Sequence, residues 1–580
     1  MNLTAEQAAA VADHGNRVVS SCPGSGKTRT IIAKILRCIE EIADTPRKIC
    51  CITYTNAATN EISARLLQFG NGEDALRYEV NTIHSFCLNN IVRPYGHLLP
   101  ELAKGFEVLP PDAPWYIETV KSICQKYRVP PNYAEFFANI TFKLTGELVV
   151  PNGIKVEAAA HFIRLIRDKN YITFGDIVYF AFRIANENNY VARALSTRFA
   201  WMLVDEFQDT SELQVGLLLC VHRVGKTKFF LVGDPNQSIF SFAGARPDLM
   251  ASIPAQMSAA SDLSLTQNYR CSTNIIRVAE RLCPRTPPMA AFGQSRDCPF
   301  VPSYINASSI DEAILGYFLP ELARQGIAYG SCAVLAPWWM NLVPLARKLR
   351  ERAIPVIGPG ARPYKCSSDF AQFAEAAAAY TLQPDSESAT AAHRALFYII
   401  LQITSRPNWR IYSYEGKKTL CRLLNSAALR YEARPGALHW LADFASSCCK
   451  ILLEDELMSS TGAARIHASA AEMVASIRKF SDDADNMTID GLGIFAKPKS
   501  CVQLLTLHAS KGHEYDAVAV VDFHDDKVSH YNADANGVEE ARRLTYVAAT
   551  RARKLLMFFC NTSDRRNRPS RFVRADGMQL

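Results

Sequence analysis

The stretch Val18-Val19-Ser20-Ser21-Cys22-Pro23-Gly24-Ser25-Gly26-Lys27-Thr28 decides how this chain is read. Two β-branched residues run into a small, Gly-rich turn that closes on Gly-Lys-Thr, and a helix-type segment from Thr28 to Glu40 follows. That order is strand, phosphate cradle, helix. In such a P-loop the backbone N–H groups of Gly24, Ser25 and Gly26 close around phosphates, Lys27 reaches the β- and γ-phosphates, and the Thr28 hydroxyl helps hold Mg²⁺. The dipole of the following helix adds to anion binding. The pattern G-x-x-x-x-G-K-[ST] has glycine where this chain has Ser21. Taken alone, the loop leaves kinases, GTPases, transporters and motors open.

Working outward, Trp201-Met202-Leu203-Val204-Asp205-Glu206 sets two carboxylates at the end of a buried strand. The first is placed to organise Mg²⁺ and the second to orient an attacking water. Another apolar strand, Phe229-Phe230-Leu231-Val232, runs into Gly233-Asp234-Pro235-Asn236-Gln237, where the Gln237 amide is suited to sensing a γ-phosphate. Aromatics follow at Phe240 and Phe242. Alternating aromatics are usual core residues, but after a turn at the carboxyl edge of a sheet they also serve as stacking platforms for bases.

Strand-like runs alternate with helix-like segments in two regions, the signature of parallel sheets flanked by helices. The first holds Arg17–Ser20, Lys48–Thr53, Trp201–Val204 and Lys228–Val232; the second holds Leu263–Leu265, Cys332–Ala336, Val502–Thr506, Ala517–Val521 and Leu555–Phe559. Residues 95–170 and 366–499 lack regular strand runs and carry helical periodicity, as in Phe370-Ala371-Gln372-Phe373-Ala374-Glu375-Ala376. The expectation is an α/β protein of two parallel-sheet P-loop domains, each with a mainly helical insertion. The boundaries are 1–94 with 171–262, interrupted by 95–170, and then 263–365 with 500–580, interrupted by 366–499.

At 580 residues the chain is too long for a single core, and its 48% hydrophobic and 21% charged content exclude a disordered or fibrous protein. A net charge of +7 allows a nucleic-acid groove without requiring one. The 17 cysteines are scattered and form no C-x-x-C pair, which argues against a zinc or iron–sulfur centre and for reduced, buried thiols. Met1-Asn2-Leu3-Thr4-Ala5-Glu6 carries no secretory signal, and no apolar run has the length of a membrane span. The expected place is the cytoplasm, with no membrane partner.

In order along the chain, the motifs resemble those of the UvrD/Rep group of superfamily 1 DNA helicases. They are Leu3-Thr4-Ala5-Glu6-Gln7, the P-loop, Thr53-Tyr54-Thr55-Asn56, Thr82-Ile83-His84-Ser85, Val204 to Asp209, Val232 to Phe240, Gln267-Asn268-Tyr269-Arg270, Thr506 to Tyr515 and Arg542 to Ala552. The resemblance implies a motor with ATP and Mg²⁺ held between two RecA-like domains. Gln7, Arg29 and Tyr269 match the adenine site, with the latter two sandwiching the base, and Glu514 matches the ribose contact. Lys27, Asp205, Glu206 and Gln237 match the hydrolytic residues, Thr28 and Asp205 the Mg²⁺ ligands, and Arg270 and Arg551 the two arginine fingers. Thr55, Asn56, Thr82, His84, Thr506 and His508 match contacts to the sugar–phosphate backbone of single-stranded or tailed duplex DNA, and Tyr54, Phe240 and Phe242 match base-stacking aromatics. In the family, movement runs 3′ to 5′.

Three departures bear on coupling. Phe242-Ala243-Gly244-Ala245 stands where the family has Trp-Arg-Gly-Ala, with Arg246 in a different register; Ala57 stands where the family favours lysine, and Ser21 where it favours glycine or alanine. The expected function is therefore an ATP-dependent translocase and helicase, with an ATP-gated DNA-sensing subunit of a nuclease complex as the alternative. The short residue count after Arg551 leaves no room for a nuclease domain, so a nuclease would be a separate chain. The compact second insertion resembles the helicase subunit of two-gene phage-defence systems of the Gabija type; DNA repair is the comparable alternative.

Overall fold

The computed structural model describes residues 2–70, 72–111, 113–240, 244, 246–362, 364, 369–403, 413–431, 436–480, 487–528, 535–561, 567–568 and 570–574. The chain divides into two compact units, residues 1–298 with 534–550, and residues 299–533 with 551–580.

The first unit is built on six parallel strands, β1 (Arg17–Ser21), β2 (Lys48–Thr53), β3 (Tyr78–Thr82), β4 (Phe199–Val204), β5 (Lys228–Gly233) and β6 (Ser264–Leu265), in the order β6-β1-β5-β4-β2-β3. The middles of the central strands are apolar because helices cover both faces. Alternation divides their side chains: Trp201, Leu203, Phe230 and Val232 enter one core, and Met202, Val204, Phe229 and Leu231 enter the other. The first core is closed by helix α1 (Ala5–Ala12) and helix α2 (Lys27–Glu41) through Ala10, Ile31, Ile32 and Ile35.

The stretch 95–170 is mainly helical, with Pro114–Tyr127 and Val156–Asp168, and Phe137, Phe162 and Ile166 join the second core. It also carries a small hairpin, Thr141–Phe142 against Leu148–Val149, and a strand Glu107–Val108 that pairs with Tyr171–Ile172. Two assignments differ from the sequence reading. Leu263–Leu265, expected in the second sheet, supplies the edge of the first: Ser264 and Leu265 pair with Ser20 and Ser21, and Cys22 N donates to the Leu265 carbonyl at 2.9 Å. Helix Ala535–Ala549 also belongs to the first unit, packed on helix Thr273–Leu282, whose Ile275, Ile276, Ala279 and Leu282 are buried.

The second unit also has six parallel strands, β7 (Ser303–Asn306), β8 (Cys332–Ala336), β9 (Val356–Ile357), β10 (Val502–Thr506), β11 (Tyr515–Val520) and β12 (Ala552–Cys560), in the order β7-β12-β11-β8-β10-β9. Cys332, Val334, Ala336, Ala517 and Ala519 pack on one side in the same core as the helical insertion. That insertion contains helices Asp369–Leu382, Ser386–Ile403, Tyr414–Tyr431, Ala437–Glu454 and Ser460–Phe480. The first is the central one, with Phe370, Phe373, Ala374, Ala377 and Ala378 buried on several faces because alanine lets neighbours approach closely. No helix among the described residues is long and apolar enough to cross a membrane.

Candidate nucleotide and nucleic-acid sites

β1 ends at Ser21 and α2 begins at Lys27, and the intervening turn needs two left-handed residues, Gly24 at φ +65° and Gly26 at φ +78°. Only glycine adopts these without strain. Space demands it too: a Cβ on Gly24 would lie 2.6 Å from the Arg270 Cβ, and one on Gly26 would lie 2.6 Å from Gln7 Nε2. Ser21 acquires a role here, because its buried hydroxyl donates to the Gly233 carbonyl at 3.0 Å and ties β1 to β5. Cys22 is buried in the loop, and burial pushes its thiol up to about 12, so it remains a neutral packing group.

Across the loop, Lys27 Nζ lies 3.6 Å from Glu206 Oε1. Glu206 occupies a left-handed conformation at φ +52°, its N–H donates to Asp205 Oδ1 at 2.9 Å, and Gln208 Nε2 donates to Glu206 Oε2 at 2.5 Å. Burial first, and the Glu206 carboxylate second, push Asp205 up to about 7, while Lys27 opposes the shift. Thr28 and Asp205 are the groups that would hold Mg²⁺. The donor set fits, because a buried carboxylate beside a second one is relieved by a cation. Mg²⁺ takes few protein ligands and fills its shell with water and phosphate oxygens; among the described residues there is no cluster of three or more His, Cys, Asp or Glu able to hold a metal unaided.

Asp234 is the junction of this site and was not singled out from the sequence. It is fully buried, and its Oδ2 accepts from Gln237 Nε2 at 2.8 Å and from the Tyr546 hydroxyl at 3.3 Å. Its Oδ1 accepts from Arg285 Nη1 at 2.6 Å, and its N–H donates to Gln208 Oε1 at 2.8 Å. Arg285 continues to the P-loop strand, Nη2 donating to the Ser21 carbonyl at 2.9 Å. Burial works against the Arg285 charge, but Asp234 and Tyr546 beside it hold the guanidinium above its ordinary range. Gln237, Glu206 and the strand entering the P-loop thus converge on Gln208, Asp234 and Arg285. The signals in the sequence are slight: Tyr546 and Asp234 lie within the motifs Arg542 to Ala552 and Val232 to Phe240, and Arg285 stands between Pro284 and the Thr286-Pro287-Pro288 run, where no helix or strand pattern would place it.

Gln7 is buried, accepts from Thr4 N at 3.1 Å and donates to the Ser25 carbonyl at 2.9 Å, so both ends of its amide brace α1 and the P-loop. Tyr269 and Arg29 are exposed together: the Tyr269 N–H donates to the Gly24 carbonyl at 2.9 Å, and the Arg29 charge is felt by the Tyr269 phenol. Arg270 sits against Gly24, with its N–H on Asn268 Oδ1 at 2.8 Å and Nη1 on the Thr550 carbonyl at 3.2 Å. In the second unit Arg551 is buried, with Nη1 on the His513 carbonyl at 3.1 Å, and Glu514 pairs with Arg553.

The expected nucleic-acid residues lie where strands end. Thr53 of β2 is in register with Thr82 of β3, so the loops carrying Tyr54-Thr55-Asn56 and His84 leave the sheet side by side. Thr55 and Thr82 cap the helices that follow, accepting from Ala58 N at 3.2 Å and Ser85 N at 3.3 Å. Tyr54 and Phe240 stack with centroids 5.5 Å apart and planes at 14°, and His84 meets Phe174 edge-on at 5.9 Å. Burial lowers the His84 pKa, favouring neutral imidazole. In the second unit Thr506 ends β10, accepts from Ala509 N at 3.2 Å, and leads to half-buried His508. Phe242 and Ala243 lie outside the described residues. Arg246 is paired with Asp248 at 2.7 Å.

Two family models match: the UvrD/REP helicase N-terminal domain over residues 3–258 and the UvrD-like helicase C-terminal domain over residues 455–563. The chain is similar to ATP-dependent DNA helicase Rep of Escherichia coli (strain K12), 24% identical over 96% of this chain and 91% of that protein. It is likewise similar to DNA helicase II of Salmonella typhimurium, 25% identical over 98% of this chain and 86% of that protein. ATP-dependent DNA helicase SRS2 of Saccharomyces cerevisiae is 27% identical over 56% of this chain and 30% of its own length.

Proposed function

Given that the chain belongs to the UvrD/REP helicase family, we propose that it is an ATP-dependent DNA helicase that moves along single-stranded DNA. The observation that carries this reading is the phosphate loop facing a carboxylate pair, with Lys27 Nζ 3.6 Å from Glu206. On nucleotide binding Lys27 exchanges Glu206 for the β- and γ-phosphate oxygens, which frees Glu206 to accept a proton from the attacking water. Gln208 holds that carboxylate by one oxygen. Gln237, oriented by Asp234, faces the γ-phosphate, and Arg270 counters charge on the transferring phosphoryl group. Mg²⁺ at Thr28 and Asp205 would neutralise the β- and γ-oxygens.

Arg29 and Tyr269 form the candidate adenine clamp. For Gln7 to read the base, its amide has to release Ser25, and for Arg551 to act on phosphate, its guanidinium has to leave the His513 carbonyl. Tyr54, Thr55, Asn56, Thr82, His84 and Phe240 on one unit and Thr506 and His508 on the other are the candidate DNA contacts. Movement from 3′ to 5′, a part in phage defence or repair, and a separate nuclease subunit are finer readings supported by the sequence resemblance alone. Hydrolysis stimulated by single-stranded DNA and displacement of a 3′-tailed duplex are the decisive measurements. Lys27→Ala and Glu206→Gln are expected to lower the turnover rate by about a hundredfold or more. Wild-type protein that hydrolyses ATP without displacing the duplex would remove the helicase clause; wild-type protein without hydrolysis would remove the motor.

A further inference from the structure

Lys34 stands on α2 two turns beyond Lys27 and is 1% exposed, a charged side chain sunk in the core of the first unit. Its ammonium has only neutral partners. Nζ donates to the Val11 carbonyl at 3.2 Å and to the Asp13 carbonyl, and it lies 4.2 Å from the centre of the Trp201 ring; among the described residues it forms no ion pair. Burial lowers its pKa. A cation taken out of water with no counter-charge is a costly core residue, and a methionine would fill the same space without that cost.

The charge serves α1. Val11 and the C-cap residue Asp13 form the carboxyl end of that helix, where the last carbonyls lack partners within the helix and its dipole favours a cation. The other end of α1 lies at the phosphate loop. There Gln7 Nε2 donates to the Ser25 carbonyl at 2.9 Å, and the neighbouring Glu6 Oε2 accepts from Thr266 N at 2.8 Å. The approach is close, since a Cβ on Gly26 would lie 2.6 Å from Gln7 Nε2. α1 is only eight residues long, so a shift at the Lys34 end is carried to Gln7. The helix that the phosphate loop opens thus also fixes the helix that carries Gln7.

We propose that Lys34 is a positioning residue for base recognition: it holds α1 on α2 so that the Gln7 amide, on leaving the Ser25 carbonyl, meets adenine without movement of the helix. This rests on the reading of Gln7 as the adenine contact of an ATP-driven motor. A carboxamide in that place donates to N7 and accepts from the N6 amino group, a pattern no pyrimidine offers. Lys34 acts through α1 and not on the nucleotide.

The test uses the full chain, with KM and kcat measured for ATP and for UTP in the presence of oligothymidylate. UTP lacks the groups that Gln7 would read and reports on the phosphate site alone. Lys34→Met is expected to raise KM for ATP by about tenfold with kcat little changed, and to leave KM for UTP within about twofold. Gln7→Ala is expected to do the same, and Gln7→Ala/Lys34→Met to be no worse than Gln7→Ala, because the two residues act in series. Ala8→Gly/Ala9→Gly, on the exposed side of α1, loosens the helix with Lys34 in place and is expected to lower the ATP-to-UTP preference in the same direction. Equal losses for ATP and UTP in Lys34→Met, an unchanged KM for ATP, or additive losses in the Gln7–Lys34 pair overturns the positioning role. Should Lys34→Met fail to fold, an unchanged preference in the glycine pair overturns it. Wild-type protein with equal KM for ATP and UTP overturns the adenine reading of Gln7 and the positioning role with it, whereas wild-type protein that hydrolyses neither overturns the motor.

Discussion

Asp205 carries a proton-linked consequence. Its folded pKa is raised from 3.8 to about 7, so between those values the folded state binds more protons than the unfolded one. This group's contribution to stability therefore falls as pH rises from about 4 to about 7 in protein without Mg²⁺. Thermal midpoints across that range should show a decline that Asp205→Asn abolishes. Bound Mg²⁺ should flatten it, and Mg²⁺ affinity should drop as pH falls below about 7 because the proton competes for the same oxygens. Arg285 carries a second prediction. It is buried against a fully buried Asp234, so Arg285→Met leaves an uncompensated carboxylate and is expected to cost about 3 kcal/mol in chemical denaturation. Turnover should fall more than nucleotide affinity, because Asp234, which orients Gln237, loses the guanidinium that holds it while Lys27 keeps its place; equal losses in both would deny the positioning role. Lys27, Asp205 and Glu206 were legible because each sits within a few residues of the strand end that defines it. Arg285 was not, because its partner Asp234 is 51 residues away and no local spacing signals the pair.

At the scale of elements, the phosphate loop is the part with least freedom. Gly24→Ala adds a Cβ at φ +65° within 2.6 Å of Arg270 Cβ, so the loop, the Tyr269–Arg270 segment or both must shift. Nucleotide binding should fall sharply in Gly24→Ala, read by fluorescence titration with a labelled ATP analogue. Ser21→Ala should retain binding, with a stability loss of about 1 kcal/mol from the missing hydrogen bond to Gly233. Inner strands are readable nearly to the residue: Lys48–Thr53, Cys332–Ala336 and Val502–Thr506 coincide with the structure, Cys332–Ala336 because a buried parallel strand is an unbroken apolar run and the other two because apolar residues dominate their middles. β3 escaped notice. Its residues Tyr78-Glu79-Val80-Asn81-Thr82 are all half-buried at the sheet edge, where polar side chains reach water, and no apolar run marks them. β6 was seen but placed in the wrong sheet, because two residues hold no information about which strand they will pair with.

For the molecule as a whole, the chain order and the compact units do not coincide. Helix Ala535–Ala549 lies far along the sequence yet completes the first unit, covering Thr273–Leu282 and placing Tyr546 on Asp234. A fragment ending at Cys298 should therefore have a lower thermal midpoint than one in which residues 535–550 are fused behind it, and should regain stability when that segment is added in trans. Matching midpoints would show that the helix is dispensable. The two-sheet α/β plan was legible because alternation of strand and helix is a local pattern. The return of this helix was not, because membership of a core depends on surfaces that meet only after folding.

The cysteines have a use at the bench. Among the described residues Cys421 alone is exposed, on helix Tyr414–Tyr431 of the insertion, whereas Cys22 in the phosphate loop is buried and protonated. Among the described cysteines, brief maleimide treatment should decorate Cys421 before Cys22 and so spare the phosphate loop, which offers a place on the insertion to attach a dye.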